Sequence, residues 1–227
     1  MGFFMRMKGN NMCGIIGYIG DKQVLPILIQ GLKKLEYRGY DSAGVAIMNK
    51  ESQIEVKKCK GKIKYLENLL KKKDLKGFMG LGHTRWATHG KPDDRNAHPH
   101  FSRDCETVVV HNGIIENYLP IKERLILKGY NFLSETDTEV LPHLIQSIYQ
   151  DNLTEAVRKS LKLISGSYAL GVISRKEPNK IIASRRGSPL IIGIGEHEMY
   201  IASDIPALLN YTKKVIFLEE NEIATIE

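Results

Sequence analysis

The sequence predicts an α+β protein whose sheets are largely antiparallel. Three features point there. Apolar runs of strand length flank a central group of helices on both sides, many of these runs are joined by short turns, and the regular strand–helix–strand alternation of a parallel sheet is missing. The chain has 227 residues, 42% hydrophobic and 26% charged, so one large domain or two small ones could bury a sizeable core. It shows no internal repeat and no Pro/Ser-rich linker.

In chain order, "CGIIGYI" from Cys13 reads as a buried strand. In "QVLPILIQGLKKLEYRG", Val24, Leu28, Leu32 and Leu35 recur at helical spacing, which predicts an amphipathic helix with Pro26 in its first turn and Gly39 just beyond its end. "AGVAIM" and "QIEVKKC" predict a strand pair. "FMGLGHTRWAT" and "ETVVVHNG" predict two strands with polar residues at their C-terminal ends. "NYLPIKERLILKG" predicts a helix closed by Gly129. "SETDTEVLPHLIQSIYQD" sets Thr136 and Glu139 at capping-box spacing, with Pro142 awkwardly placed soon after. "NLTEAVRKSLKLI" predicts a helix capped by Asn152. The remainder reads as the short strands "GSYALGVIS", "KIIASRR", "PLIIGIG", "MYIAS", "KVIFL" and "EIATI", with a short helix at "DIPALLNY".

The formal charge is +7, but the basic residues are scattered. The one dense cluster, "KGKIKYLENLLKKK", carries apolar residues at helical spacing and reads as a solvated helix face rather than a nucleic-acid surface. Cys13, Cys59 and Cys105 show neither metal-site nor redox spacing, which suits a reducing cytosol. Cys59 and Cys105 sit in strand-like contexts and are expected to be packing residues. No apolar run reaches the roughly 18 residues of a membrane span. The leader "MGFFMRMKGNNM" lacks a secretion signal's apolar core, and Arg6 stands where a myristoylation motif wants Ser or Thr. The expectation is a cytoplasmic protein with no membrane and no nucleic-acid partner.

Polar residues cluster where the predicted strands end: "GHTRWATHG", "NAHPH", "VHNGIIEN" and "SETDTE". Each alone has an ordinary structural explanation, since Asn-Gly usually makes a turn and Thr or Asp before an apolar run usually caps a helix. No metal-binding pair of the H-E-x-x-H kind, no phosphate loop and no G-x-S-x-G elbow is present, so neither a metal nor a cofactor is expected. Combined with Cys13, the clusters suggest nucleophilic chemistry. A thiol nucleophile needs a base and an oxyanion hole. With Met12 and everything before it removed, Cys13 would carry a free α-amine of pKa about 7.7–8.0, fit to take the thiol proton. Asn112 and Gly113 could donate to an oxyanion. Arg85 could grip a carboxylate bidentately, and Asp137 could accept from an ammonium. Carboxylate plus ammonium means a free amino acid, and a thiol attacking an amide means glutamine or asparagine.

The motifs "MCGIIGYIG", "YRGYDSAG", "HTRWATHG", "NAHPH", "VHNGIIEN" and "SETDTE" closely resemble the class II glutamine amidotransferases, N-terminal-nucleophile hydrolases. Within them they resemble the glutaminase half of the glutamine–fructose-6-phosphate aminotransferase family. "YRGYDSAG" and "TRWATHG" separate this family from the phosphoribosyl-pyrophosphate amidotransferases and asparagine synthetases. The resemblance runs from Met12 to about Glu227. It implies a four-layer α-β-β-α sandwich with two antiparallel sheets. It implies Cys13 as nucleophile, Asn112 and Gly113 as the oxyanion pair, and Arg85 and Asp137 as partners of the glutamine α-carboxylate and α-ammonium. Trp86, Thr88 and His89 would lie in a loop folding over L-glutamine, Trp86 at the gate of an ammonia channel. Arg38 would support the nucleophile, and His98 would lie near the second half of the enzyme.

Two departures follow from that resemblance. Family members continue into an isomerase half with sugar-phosphate-binding domains, and dimerise mainly through it; that half is absent from this chain. Family members also begin Met-Cys, so residues 1–12 are expected to be a leader absent from the mature protein, leaving 13–227 as the glutaminase domain. Two alternatives stand beside this reading: another class II amidotransferase or stand-alone glutaminase, and a silent regulatory domain if the leader is retained.

Overall fold

The structure is a computed structural model that describes residues 13–71, 73, 75–86 and 90–227. Its elements run β1 (Gly14–Gly20), α1 (Val24–Leu35), β2 (Ser42–Met48), β3 (Ile54–Lys60), α2 (Ile63–Leu70), β4 (Met79–Arg85), β5 (His100–Phe101), β6 (Thr107–Ile115) and α3 (Tyr118–Leu127). They continue with α4 (Val140–Ile148), α5 (Leu153–Leu161), β7 (Gly166–Ser174), β8 (Glu177–Arg186), β9 (Ile191–Ile194), β10 (Glu198–Ala202), β11 (Lys214–Phe217) and β12 (Ile223–Ile226).

Among the described residues the strands form two antiparallel sheets, one ordered β11-β9-β10-β1-β4-β2-β3 and the other β12-β8-β7-β6-β5. The alternation of side chains along each strand divides them between two faces. On β1, Ile15 turns to the other sheet while Ile16 and Tyr18 turn to α1. On β6, Val108 and Val110 enter the seam between sheets, and Val109 meets the helices α3, α4 and α5. Helices α1 and α2 cover the outer face of the larger sheet through Leu28, Leu32, Ile63 and Leu66. The result is the α-β-β-α sandwich that the resemblance implies.

Most predicted elements form where expected, and α5 is capped by Asn152, whose side chain accepts from Glu155 N–H at 2.8 Å. Four expectations need correction. The capping box of Thr136 and Glu139 does not form, because α4 starts only at Val140. Glu139 instead accepts from the backbone N–H of Leu133 and Ser134, and Thr136 Oγ1 pairs with His100 Nε2 at 3.0 Å. With that later start, Pro142 falls in the first turn, where its missing N–H costs nothing. The helix expected at "DIPALLNY" is only a 3-10 turn, Ile205–Ala207. Strand β5 was not expected; at two residues it is too short to show a period. Cys105 lies in a 3-10 turn rather than a strand; it and Cys59 are free, half-buried thiols packed against core clusters.

Candidate active site

Cys13 stands at the start of β1, and β1 is paired with β4 so that Gly14 lies opposite Thr84. The register therefore delivers the exit of β4, Arg85 and Trp86, to the Cys13 thiol. Trp86 N–H donates to Sγ at 3.1 Å, and Sγ lies 3.5 Å from the Trp86 carbonyl. The Trp86 indole lies over Gly39, where φ is +103° and a Cβ would come within 2.8 Å of the ring. A side chain at position 39 would push the indole away. Burial pushes the Cys13 pKa up, only partly offset by the Trp86 N–H and the charge of Arg85. The resting species is therefore the thiol rather than the thiolate.

The smaller sheet faces this from across the seam. The Asn112 side chain on β6 donates through Nδ2 to the Cys13 carbonyl at 3.1 Å. Gly113 follows at φ +130°, and a Cβ there would meet the Ser167 carbonyl at 2.2 Å, so only glycine fits. Asp137, in the turn before α4, accepts from Ile115 N–H at 2.7 Å, which ties that turn to the end of β6. Asn96 holds the same turn from the far side, accepting from Glu135 N–H at 2.9 Å.

Arg85 is buried; its Nη2 donates to the Gly90 carbonyl at 2.9 Å and its Nη1 lies 3.8 Å from Asp41 Oδ1. Cys13, Arg85, Trp86, Gly113 and Asp137 line one narrow pocket, walled further by Thr136, Thr138, His98 and His111. A wider groove runs from Phe101–Asp104 to His143, but it contains none of the sequence-predicted site residues, so size does not mark the site.

Behind the pocket lies a stack of buried imidazoles. His83 and His98 stack at 4.0 Å between ring centroids, and His100 meets His98 edge-on at 4.6 Å. Burial pulls the pKa of His83 down to about 3 and those of His98 and His100 well below the ordinary value, and it lowers His111 as well. The group is neutral at physiological pH. His98, a candidate from the sequence, is thus a buried member of this stack and a wall of the pocket.

Arg38, also buried, pairs with Asp204 at 3.0 Å beside Ser203. Ser203 Oγ accepts from Ile15 N–H at 3.0 Å, so Arg38 braces the strand that carries Cys13 rather than lining the pocket. Thr88 and His89 lie outside the described residues. Residues the sequence reading did not single out include Asp41 and Thr138. Asp41 lies inside the "YRGYDSAG" motif, and Thr138, which bonds His111 Nδ1 at 2.8 Å, lies inside "SETDTE"; those motifs were the available signals. Among the described residues no helix could cross a membrane, and no cluster of three or more His, Cys, Asp and Glu could hold a metal.

The chain is similar to several known proteins. Residues 71–226 match the glutamine amidotransferase domain family. Glutamine–fructose-6-phosphate aminotransferase [isomerizing] from Caldanaerobacter subterraneus subsp. tengcongensis is 57% identical over 216 residues, 95% of this chain and 35% of that protein. The protein of the same name from Aquifex aeolicus is 55% identical over 95% of this chain and 36% of its own length. The chain therefore spans about a third of the curated relatives it matches. Among solved structures, glutamine phosphoribosylpyrophosphate amidotransferase from B. subtilis superposes with a TM-score of 0.81 at 26% identity, covering 94% of this chain and 47% of that one. A glutamine aminotransferase class-II domain protein from Silicibacter pomeroyi shares the fold, with a TM-score of 0.61 at 13% identity over 94% of each chain.

Proposed function

This chain belongs to the glutamine amidotransferase domain family, and from that premise we propose that it hydrolyses L-glutamine to glutamate and ammonia with Cys13 as the nucleophile. The observation that carries the reading is the convergence of a thiol, a buried guanidinium, a buried carboxylate and Gly113 on one pocket, with the Asn112 amide hydrogen-bonded to the Cys13 carbonyl. Arg85 binds the substrate α-carboxylate and Asp137 its α-ammonium. The free α-amine of Cys13 takes the thiol proton as sulfur attacks the side-chain amide carbon. Asn112 Nδ2 and Gly113 N–H receive the oxyanion. The tetrahedral intermediate collapses, the amine returns its proton to the leaving nitrogen, and ammonia departs. Water then cleaves the γ-glutamyl thioester, regenerating the thiol and releasing glutamate. The mechanism calls on no metal or cofactor.

That mechanism requires Cys13 to be the first residue, because an amide nitrogen joined to Met12 is not a base. We infer that residues 1–12 are absent from the working protein. We infer also that the domain serves as the glutamine-hydrolysing part of a longer cytoplasmic enzyme, in which ammonia would reach fructose 6-phosphate bound by an isomerase half. A homodimer would form through that half. Trp86, with Thr88 and His89, would close over glutamine and keep ammonia from water, since protonation to ammonium ends its nucleophilicity.

The test is glutamate release by the chain beginning at Cys13, alongside Cys13→Ala. Release by the first and none above background by the second is expected; equal release by both would sink the proposal.

A further inference from the structure

The side-chain amide of Asn112 can donate to an oxyanion only if its nitrogen, not its oxygen, is turned to Cys13. Two carbonyls settle which way it faces. The Cys13 carbonyl, 3.1 Å from the amide on one side, can only accept. On the other side, His83 Nε2 lies 3.0 Å from Asn112 Oδ1 and also 3.0 Å from the His111 carbonyl. Because the His111 carbonyl can only accept, Nε2 must carry the hydrogen, and the amide must present oxygen to it.

We propose that His83 is a positioning residue for glutamine hydrolysis: its Nε2–H, anchored on the His111 carbonyl, locks the Asn112 amide so that Nδ2 faces the reacting carbonyl. His83 reaches from β4 on the larger sheet to β6 on the smaller one, so the lock spans the seam on which the pocket is built. The imidazole is fully buried and held flat against His98, which leaves the ring little freedom to turn. Its neutrality fits the task, since an imidazolium would carry a second N–H with no acceptor in reach of Nδ1. His98 stacks on the ring, and His100 meets His98 edge-on.

This inference rests on the hydrolysis reading above, and two substitutions in the chain beginning at Cys13 separate positioning from packing. His83→Phe keeps the volume and the stacking on His98 but removes the donor. His83→Gln gives up the ring but keeps an N–H within reach of Asn112. Positioning predicts that His83→Phe lowers kcat by roughly tenfold to a hundredfold with KM within about threefold, short of the ~10²–10³ lost with a whole oxyanion donor. His83→Gln should recover most of the rate, and His83→Phe should cost nothing further in an Asn112→Ala background. Wild-type kcat in His83→Phe, or a smaller loss there than in His83→Gln, overturns the proposal. If either variant fails to fold, the ring 15N shifts of His83 in the unsubstituted chain decide: protonated Nε2 supports the lock, and protonated Nδ1 overturns it. A chain that releases no glutamate before any substitution at His83 contradicts the hydrolysis reading instead, and the 15N measurement remains informative.

Discussion

The two sheets contribute different chemistry to one pocket. The larger sheet brings the Cys13 thiol at the start of β1 and the Arg85 guanidinium at the end of β4, braced by Asp41 and by Arg38 with Asp204. The smaller sheet brings the Asn-Gly pair at the end of β6 and, tied to that strand, Asp137. In the proposed mechanism neither sheet alone would bind a free amino acid by both α-groups or stabilise the charge that sulfur attack creates. The proposed working unit is therefore the seam, and its inter-sheet core of residues such as Ile15, Leu81, Val108 and Val110 would set catalytic geometry as well as stability.

Substitutions can break that comparison one sheet at a time. The largest effect is expected from Asn112→Ala on the smaller sheet: kcat should fall by ~10²–10³, corresponding to about 2.7–4 kcal/mol of lost oxyanion stabilisation, with KM little changed. Steady-state glutamate release checks it. On the larger sheet Arg85→Lys keeps the charge but loses the planar fork. It should raise KM for glutamine by roughly 10- to 100-fold, the equivalent of one charge-assisted hydrogen bond, with a smaller change in kcat.

Acid attacks both sheets through the histidines that join them. The pKa of His83 is about 3 in the fold, below its ordinary value near 6.5. As pH falls below 6.5 the unfolded chain takes up a proton that the folded chain refuses, so stability is full above that pH and declines towards pH 3. At pH 5 this costs about 2 kcal/mol for His83 alone. His98, His100 and His111 shift in the same direction and add to the loss. Urea midpoints at pH 7 and pH 5 should differ accordingly, and an unchanged midpoint would contradict neutral burial.

The smallest effect distinguishes adjacent residues of β1. Ile15→Val in the seam and Ile16→Val on the helix face should each cost about 0.5–1.5 kcal/mol by thermal melting. Only the seam variant should also lower kcat.

Much of this was legible in the sequence because the chemistry sits at strand ends in short motifs. Cys13, Arg85, Asn112, Gly113 and Asp137 were each singled out there, and the structure places the thiol, guanidinium, carboxylate and Gly113 around one pocket and the Asn112 amide on the Cys13 carbonyl. What stayed hidden depends on register and on competition. The hydrogen bond from His83 to Asn112 exists only once two sheets stack with β4 against β6, and no local pattern encodes that. Thr136 and Glu139 match a helix cap in spacing, but the turn that presents Asp137 occupies both side chains, and the helix begins later. Arg38 looked like a site residue from its motif, and its partner Asp204 is 166 positions away along the chain.

The most direct measurement compares glutamate release by two chains that differ at one end only, one beginning at Cys13 and one retaining Met12. Residues 13–227 hold every described element, so the fold is common to both. If the α-amine is the base, the chain with the free amine turns over glutamine and the Met12 chain is slower by at least ~10², the usual contribution of a positioned general base. Equal rates from the two chains would contradict the free-amine mechanism outright.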